Sequence, residues 1–430
     1  MNYYRLDLAS FMSSIFVWCI FLSDFGLVIA GQPIYFFQIL AFGYLISYLI
    51  YQPYVEKGWL LFFVSAIVSI CASGTLFFEP RQFAGDTYPW TSIKAFINIL
   101  LFYAVYKTAL FAYYKINPNL FLYLSIFMIF YGSVEVLFGS NPAVKEILQL
   151  LHTNQKALDK NSISLLGREH SYGALGYMCA ACVLGHAYLT RSVRGLRALG
   201  CLLLMFLLAI FVILAKSKSI YIGMLCLLFL LVILVIRRRG LSVTGMSILA
   251  LSGLLFVVIG AITIQNNYAV DMAESMSGDV GSGSTFVRFN FLQVAVMQGL
   301  SNPFFGVGPG NYKLYFIEYI YKSGAPIILE LEALTDPSLD RGSVDAANFF
   351  AGIFAEFGII VFLGVFSTIC YRVVSLIRQS AGSLQLVPLS VFLSPVMFGA
   401  ALGFYYWSVS FFPFYLAILH ADFMRSQRKI

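Results

Sequence analysis

Charge is what this sequence has least of. Only 11% of its 430 residues are charged, against roughly 25% in an average soluble domain, so a fold built for water is excluded. No polar segment is long enough to stand as a soluble domain, and neither an internal repeat nor a low-complexity tract occurs. The seven cysteines all fall in or beside apolar runs, so no disulfide framework is implied. Cys179 and Cys182 form one CxxC among Ala, Met and Leu, with no second pair and no His constellation nearby. Small buried residues account for it, and no metal site is expected. The net charge of +7 calls for no nucleic-acid partner, because the placement of Lys and Arg along the chain explains it.

What the chain has instead is apolar runs of about 20 residues, the length that crosses a bilayer core. Twelve are expected, at 8–30, 33–51, 59–78, 92–114, 119–138, 171–190, 198–215, 219–236, 241–264, 347–371, 383–402 and 404–421. The first is too long for a signal peptide and lacks a small-residue cleavage pattern, so it reads as a retained helix. The expectation is an all-α polytopic membrane protein forming a single membrane domain over residues 1–430. Every second connection is basic: Arg5, Lys57, Lys115, Arg191 with Arg194 and Arg197, Arg237 to Arg239, then Arg372 and Arg378. The tail adds Arg425, Arg428 and Lys429. By the positive-inside rule both termini are cytoplasmic.

That alternation leaves 79–91, 139–170, the turn near 216–218 and the long stretch 265–346 on the outer side. The last carries nine of the twenty acidic residues. Long connections without repeating structure are usually functional, so function is expected in these outward segments. Within 265–346, Ser284 or Thr285 opens a helix expected to end at Gly299–Leu300–Ser301. Arg288, Asn290, Gln293 and Gln298 do not share one of its faces, which suits a helix packed on the bundle better than one lying in water. The run NPFFGVGPGNY, Asn302 to Tyr312, follows it. Its glycines either make a plain loop turn or bring backbone N–H groups close to an anion.

Basic residues on the outer side are not required by topology. They are Arg81, Lys94, Arg168, Lys216, Lys218, Arg288, Lys313, Lys322 and Arg341. In AKSKS, Lys216 and Lys218 either face one anion, such as a lipid-linked phosphate, or snorkel to headgroups. In LLGREHSYGAL, Glu169 or His170 is placed to accept a hydroxyl proton while Arg168 holds a phosphate. The plainer alternative is a helix N-terminus with its acid favourably set against the dipole. Asp24, Lys107, Glu135 and Glu356 lie near span ends and read as structural.

Taken together, REHS before a span, KSKS, Arg288 ahead of GVGPGNY, and ANFFAGIFAEFG from Ala347 to Gly358 resemble the bacterial O-antigen polymerase and O-antigen ligase superfamily. The resemblance runs from about 165 to 360, and residues 1–160 match only as generic membrane helices. It implies a GT-C-like membrane fold with one large periplasmic loop, in the bacterial inner membrane. It also implies an undecaprenyl-pyrophosphate-linked glycan as substrate, no cofactor, and a chain-length regulator as a protein partner. Asn311, Tyr312 and Asn348 match recurring motif positions. Two departures stand out. Lys216 and Lys218 occupy the place of a Ser–Arg pair, giving point charges instead of a bidentate fork. Ala347 stands where ligases carry the His thought to activate their acceptor, which favours polymerase over ligase and leaves Glu169, His170 and Asp345 as candidate bases. A transporter or flippase is the rival outside enzymes; no inverted repeat and no matched pair of broken helices supports it.

Overall fold

The computed structural model describes residues 8–22, 26–29, 32–51, 54–73, 79, 81–83, 86–115, 119–138, 170–190, 196–215, 217–237, 284–323, 346, 348, 349–380, 384–401 and 410–427. Their helices are α1 (Leu8–Phe21), α2 (Phe36–Tyr51), α3 (Lys57–Ala72), α4 (Trp90–Lys115), α5 (Asn119–Phe138), α6 (His170–Thr190), α7 (Leu196–Leu214), α8 (Lys218–Arg237), α9 (Ser284–Ser301), α10 (Phe316–Ser323), α11 (Phe349–Gln379), α12 (Leu389–Ala401) and α13 (Phe411–Gln427). Two small antiparallel hairpins join them, β1 (Gly26–Ile29) with β2 (Gln32–Tyr35) and β3 (Gln82–Phe83) with β4 (Asp86–Thr87).

Eleven of the expected runs overlap helices, and the twelfth, 241–264, lies outside the described residues. Among the described residues three helices, α4, α5 and α11, are long and apolar enough to cross a membrane unaided. The first expected span, 8–30, is shorter as a helix than its apolar length suggests. Helix α1 stops at Phe21, and residues 26 to 29 turn instead into the first hairpin. The cause is local. Gly26 lies so close to the Ile34 carbonyl that no Cβ would fit, and β-branched Val28 and Ile29 suit the pleat.

Helix α4 is the centre of the N-terminal half, packed by α1, α2, α3 and α13. Helices α6, α7, α8, α12 and α5 form the other flank, and α11 joins the two through α3, α12 and α13. The main apolar core runs through both groups. A second, smaller core gathers Phe83, Phe291, Tyr312, Leu314, Phe316, Tyr319 and Ala355. It unites the β3–β4 hairpin, α9, α10 and the start of α11 at one end of the bundle. Phe316 is its hub, meeting Phe83, Phe291 and Tyr312 edge-on or tilted, with centroids 5.1–6.2 Å away.

Helix α9 runs from Ser284 to Ser301, ending within the expected Gly299–Leu300–Ser301 stop. Gly299 is a notch that admits the Phe354 ring of α11, which a Cβ would strike at 2.5 Å. Asn290 and Gln298 are buried on α9, which packs on α11 as the scattered polar pattern suggested.

Candidate functional site

The glycine-rich run lies where α11 breaks. At Gly358 the backbone takes φ 79° and ψ −178°, a region open essentially to glycine alone. The turn of helix around it therefore loses its own hydrogen bonds. The loop supplies replacements. Val307 N–H donates to the Ala355 carbonyl at 2.8 Å and Gly308 N–H to the Glu356 carbonyl at 3.0 Å. In return Ile359 N–H donates to the Pro303 carbonyl at 2.7 Å. Gly306, Gly308 and Gly310 all have positive φ, and each sits against another segment too closely for a Cβ. The glycines thus allow close approach, but the partner of these two N–H groups is α11, and no anion is needed to explain them.

Asn311 anchors the same loop sideways. Its Oδ1 accepts from Thr91 Oγ at 2.8 Å and Ser92 Oγ at 3.2 Å, both on the first turn of α4. Its Nδ2 donates to the Val307 carbonyl at 3.1 Å, which also accepts from Ser73 Oγ at 2.8 Å. Tyr312 donates its hydroxyl to the Phe291 carbonyl at 2.8 Å, while Gln298 Nε2 donates to the Tyr312 carbonyl at 2.9 Å. Asn348 caps α11, its Oδ1 accepting from Ala351 N–H at 2.9 Å. All three motif positions are buried, and their side chains bond within the protein.

The outer cations divide. Lys94 and Lys313 both pair with Asp86, Lys94 at 2.8 Å. Arg81 and Lys322 both pair with Glu318, Lys322 at 2.6 Å, and Arg81 also lies over the Tyr315 ring at 4.3 Å. Burial pushes the Asp86 carboxyl up, but the two ammonium groups outweigh it and hold it below the ordinary range. Hydrogen bonds from Lys322 and Arg81 do the same for Glu318 against a smaller burial effect. Arg81 and Lys313 therefore clasp the β3–β4 hairpin to the segment after the glycine loop, while Lys94 ties the hairpin to α4 and Lys322 pairs within α10.

Of the other expected site residues, Arg168, Glu169, Lys216 and Asp345, with Arg341 and Ala347, lie outside the described residues. His170 opens α6, Lys218 opens α8 and Arg288 stands in the first half of α9, but their side chains are not among those described. Ser217, immediately before α8, is buried. Among the described residues no group of three His, Cys, Asp or Glu side chains is arranged to hold a metal. Sequence reasoning missed Ser73, Thr91 and Ser92, short polar residues at helix ends that carry no signal until the loop is seated on them. Gly358 did carry one: a glycine two residues after an acid, inside an apolar run.

Residues 203–366 match the model of a family described as O-antigen ligase. The match supports the resemblance of this chain to the O-antigen polymerase and ligase superfamily. The matched stretch takes in most of α7, all of α8, α9, the glycine loop and α10, and α11 past its break. The motif around Arg168 to Ser171 precedes it. No curated protein matches the chain.

Proposed function

We propose that the chain belongs to this superfamily and polymerises undecaprenyl-pyrophosphate-linked oligosaccharide units on the outer face of the bacterial inner membrane. The observation that carries polymerase over ligase is Ala347, an inert side chain immediately before Asn348 where the ligases it resembles place a His. A methyl group accepts no proton, so acceptor activation falls to another residue. In the proposed step a sugar hydroxyl of one lipid-linked unit attacks the anomeric carbon of another. The bond from that carbon to the pyrophosphate oxygen breaks, and undecaprenyl pyrophosphate leaves. Glu169 takes the hydroxyl proton, with His170 and Asp345 as the other candidate bases. Arg288, Lys216, Lys218 and Arg168 carry the negative charge of the leaving group. Asn311, Tyr312 and Asn348 then act on substrate only through the loop and helix end they hold.

Glycan profiling of a strain deleted for the gene and complemented with it tests the reading. A polymerase defect leaves one repeat on each lipid A core. Loss of all repeats with lipid-linked polymer accumulating would mean a ligase, and absence of any periplasmic glycan a flippase.

A further inference from the structure

The glycine loop and the charged end of the bundle are too close together for both to lie outside the bilayer core. Glu56 with Lys107, whose Nζ lies 2.8 Å from it, and Arg372, over the Phe423 ring one helical turn from His420, mark one layer, and the His420 ring meets Tyr106 beside them at 6.2 Å. Ser73, Thr91 and Gly358 mark the layer of the loop. Three helices connect the layers: α3 from Glu56 to Ser73, α4 from Lys107 to Thr91, and α11 from Arg372 to Gly358. At 1.5 Å per residue the separations are about 25, 24 and 21 Å, and any tilt shortens them. The hydrocarbon core is about 30 Å thick, so one layer is inside it.

The charged layer belongs at the boundary. Residues 54–56, between α2 and α3, are not helical, and irregular backbone facing lipid is not tolerated in the core. Tyr51 and Tyr54 are exposed there, as residues of an interfacial belt are. The loop layer meets the opposite requirement. The backbone groups freed at the Gly358 break are tied to the loop, and the outer surface of the unit is apolar. Leu300, Phe304 and Phe305 are 65%, 64% and 49% exposed. Ile360 and Leu363 are likewise exposed along α11, whose Gly358 lies against the Phe304 backbone.

We infer that the end of α9 and the turn Asn302–Phe305 are embedded in the outer leaflet, with Leu300, Phe304 and Phe305 touching lipid acyl chains as a continuation of the lipid-facing side of α11. Residues 284–310 are then a re-entrant element, not part of a wholly periplasmic loop. This inference does not depend on the reaction assigned above.

Labelling of the full chain in proteoliposomes by a membrane-impermeant maleimide tests it, with modification read residue by residue by mass spectrometry. The variants are Phe304→Cys, Phe305→Cys and, on exposed α10, Tyr321→Cys. Maleimides attack the thiolate, which needs water, so positions 304 and 305 should label at least about tenfold more slowly than 321. Native Cys71, exposed near the end of α3 beside Ser73, is an internal reference at the same depth. Rates at 304 and 305 equal to that at 321 would overturn the inference and make the patch an aqueous surface, such as one for stacking sugars. Should either cysteine variant misfold, oxygen-over-nickel-complex collision of a spin label at the other decides, with higher nickel accessibility overturning it.

Discussion

Asn311 and Arg288 make opposite demands on a mutation experiment. The Asn311 side chain is fully engaged with Thr91, Ser92 and the Val307 carbonyl. Asn311→Asp keeps the shape but turns an oxygen toward that carbonyl, leaving buried groups unsatisfied at on the order of 1–3 kcal/mol. The melting temperature of the purified protein should fall, and glycan synthesis should fall only in proportion to folded protein. Arg288→Ala and Glu169→Gln should do the reverse, abolishing polymer while leaving melting and protein level unchanged. Normal chain lengths in both variants would remove these residues from the reaction. A fall in melting temperature for Arg288→Ala would make that residue structural. The sequence made Asn311 and Tyr312 visible as special, but not the reason. A motif position looks the same whether its side chain holds a substrate or the loop beside it. Only the geometry of Ser73, Thr91 and Gln298 separates the two.

Elements show a similar mixture. The helices were legible because apolar length alone specifies a membrane helix, whereas α1 and the first hairpin share one apolar run and only Gly26 and its neighbours divide them. The scattered polar residues of α9 pointed to packing and Gly299–Leu300–Ser301 to its end, but the notch that Gly299 offers Phe354 was not legible, because a glycine notch and a glycine cap are identical in one dimension. The clasp between the β3–β4 hairpin and α10 was hidden for another reason. Arg81, Lys94, Lys313 and Lys322 drew attention as outer cations, and their acceptors Asp86 and Glu318 were not paired with them in sequence. That clasp has a pH signature. Both carboxyls are held below their ordinary values in the folded protein. Their contribution is therefore complete above the ordinary carboxylate range, near pH 4, and is lost as pH falls through the lower folded values. Hydrogen exchange at residues 86–87 and 313–323 should accelerate on acidification below about pH 4, more than exchange in α4 or α13. Asp86→Asn should flatten that response for the hairpin. An acid response unchanged in Asp86→Asn would mean that another group controls the hairpin.

At the scale of the whole molecule, the two ends of the bundle differ in chemistry. One end holds Lys115, Arg378 and Arg425, with the Arg425 guanidinium 4.8 Å from the Tyr114 ring and 5.0 Å from that of Tyr113. There Asp422 accepts from Tyr113 and from the Ser390 amide and hydroxyl, satisfying the start of α12. The other end holds the glycine loop, the clasp and the smaller core. The expected alternation of basic connections would put Lys115, Arg378 and Arg425 on one side of the membrane and the glycine loop on the other, because span order fixes which helix ends meet. The depth of the loop was not foretold, since hydropathy averages over a turn whose backbone is satisfied by a distant helix. By positive-inside bias the basic end is expected in the cytoplasm, so Tyr54 should be cytoplasmic while Ser277 and Ser338 should be periplasmic. In intact spheroplasts an impermeant maleimide should modify Ser277→Cys and Ser338→Cys at once, and Tyr54→Cys only after the membrane is permeabilised. The opposite pattern would invert the protein and place the proposed pyrophosphate site on the side where nucleotide-activated sugars are made. A flip of that kind would remove the reason for assigning a lipid-linked donor, because that donor is needed only where no nucleotide sugar is supplied.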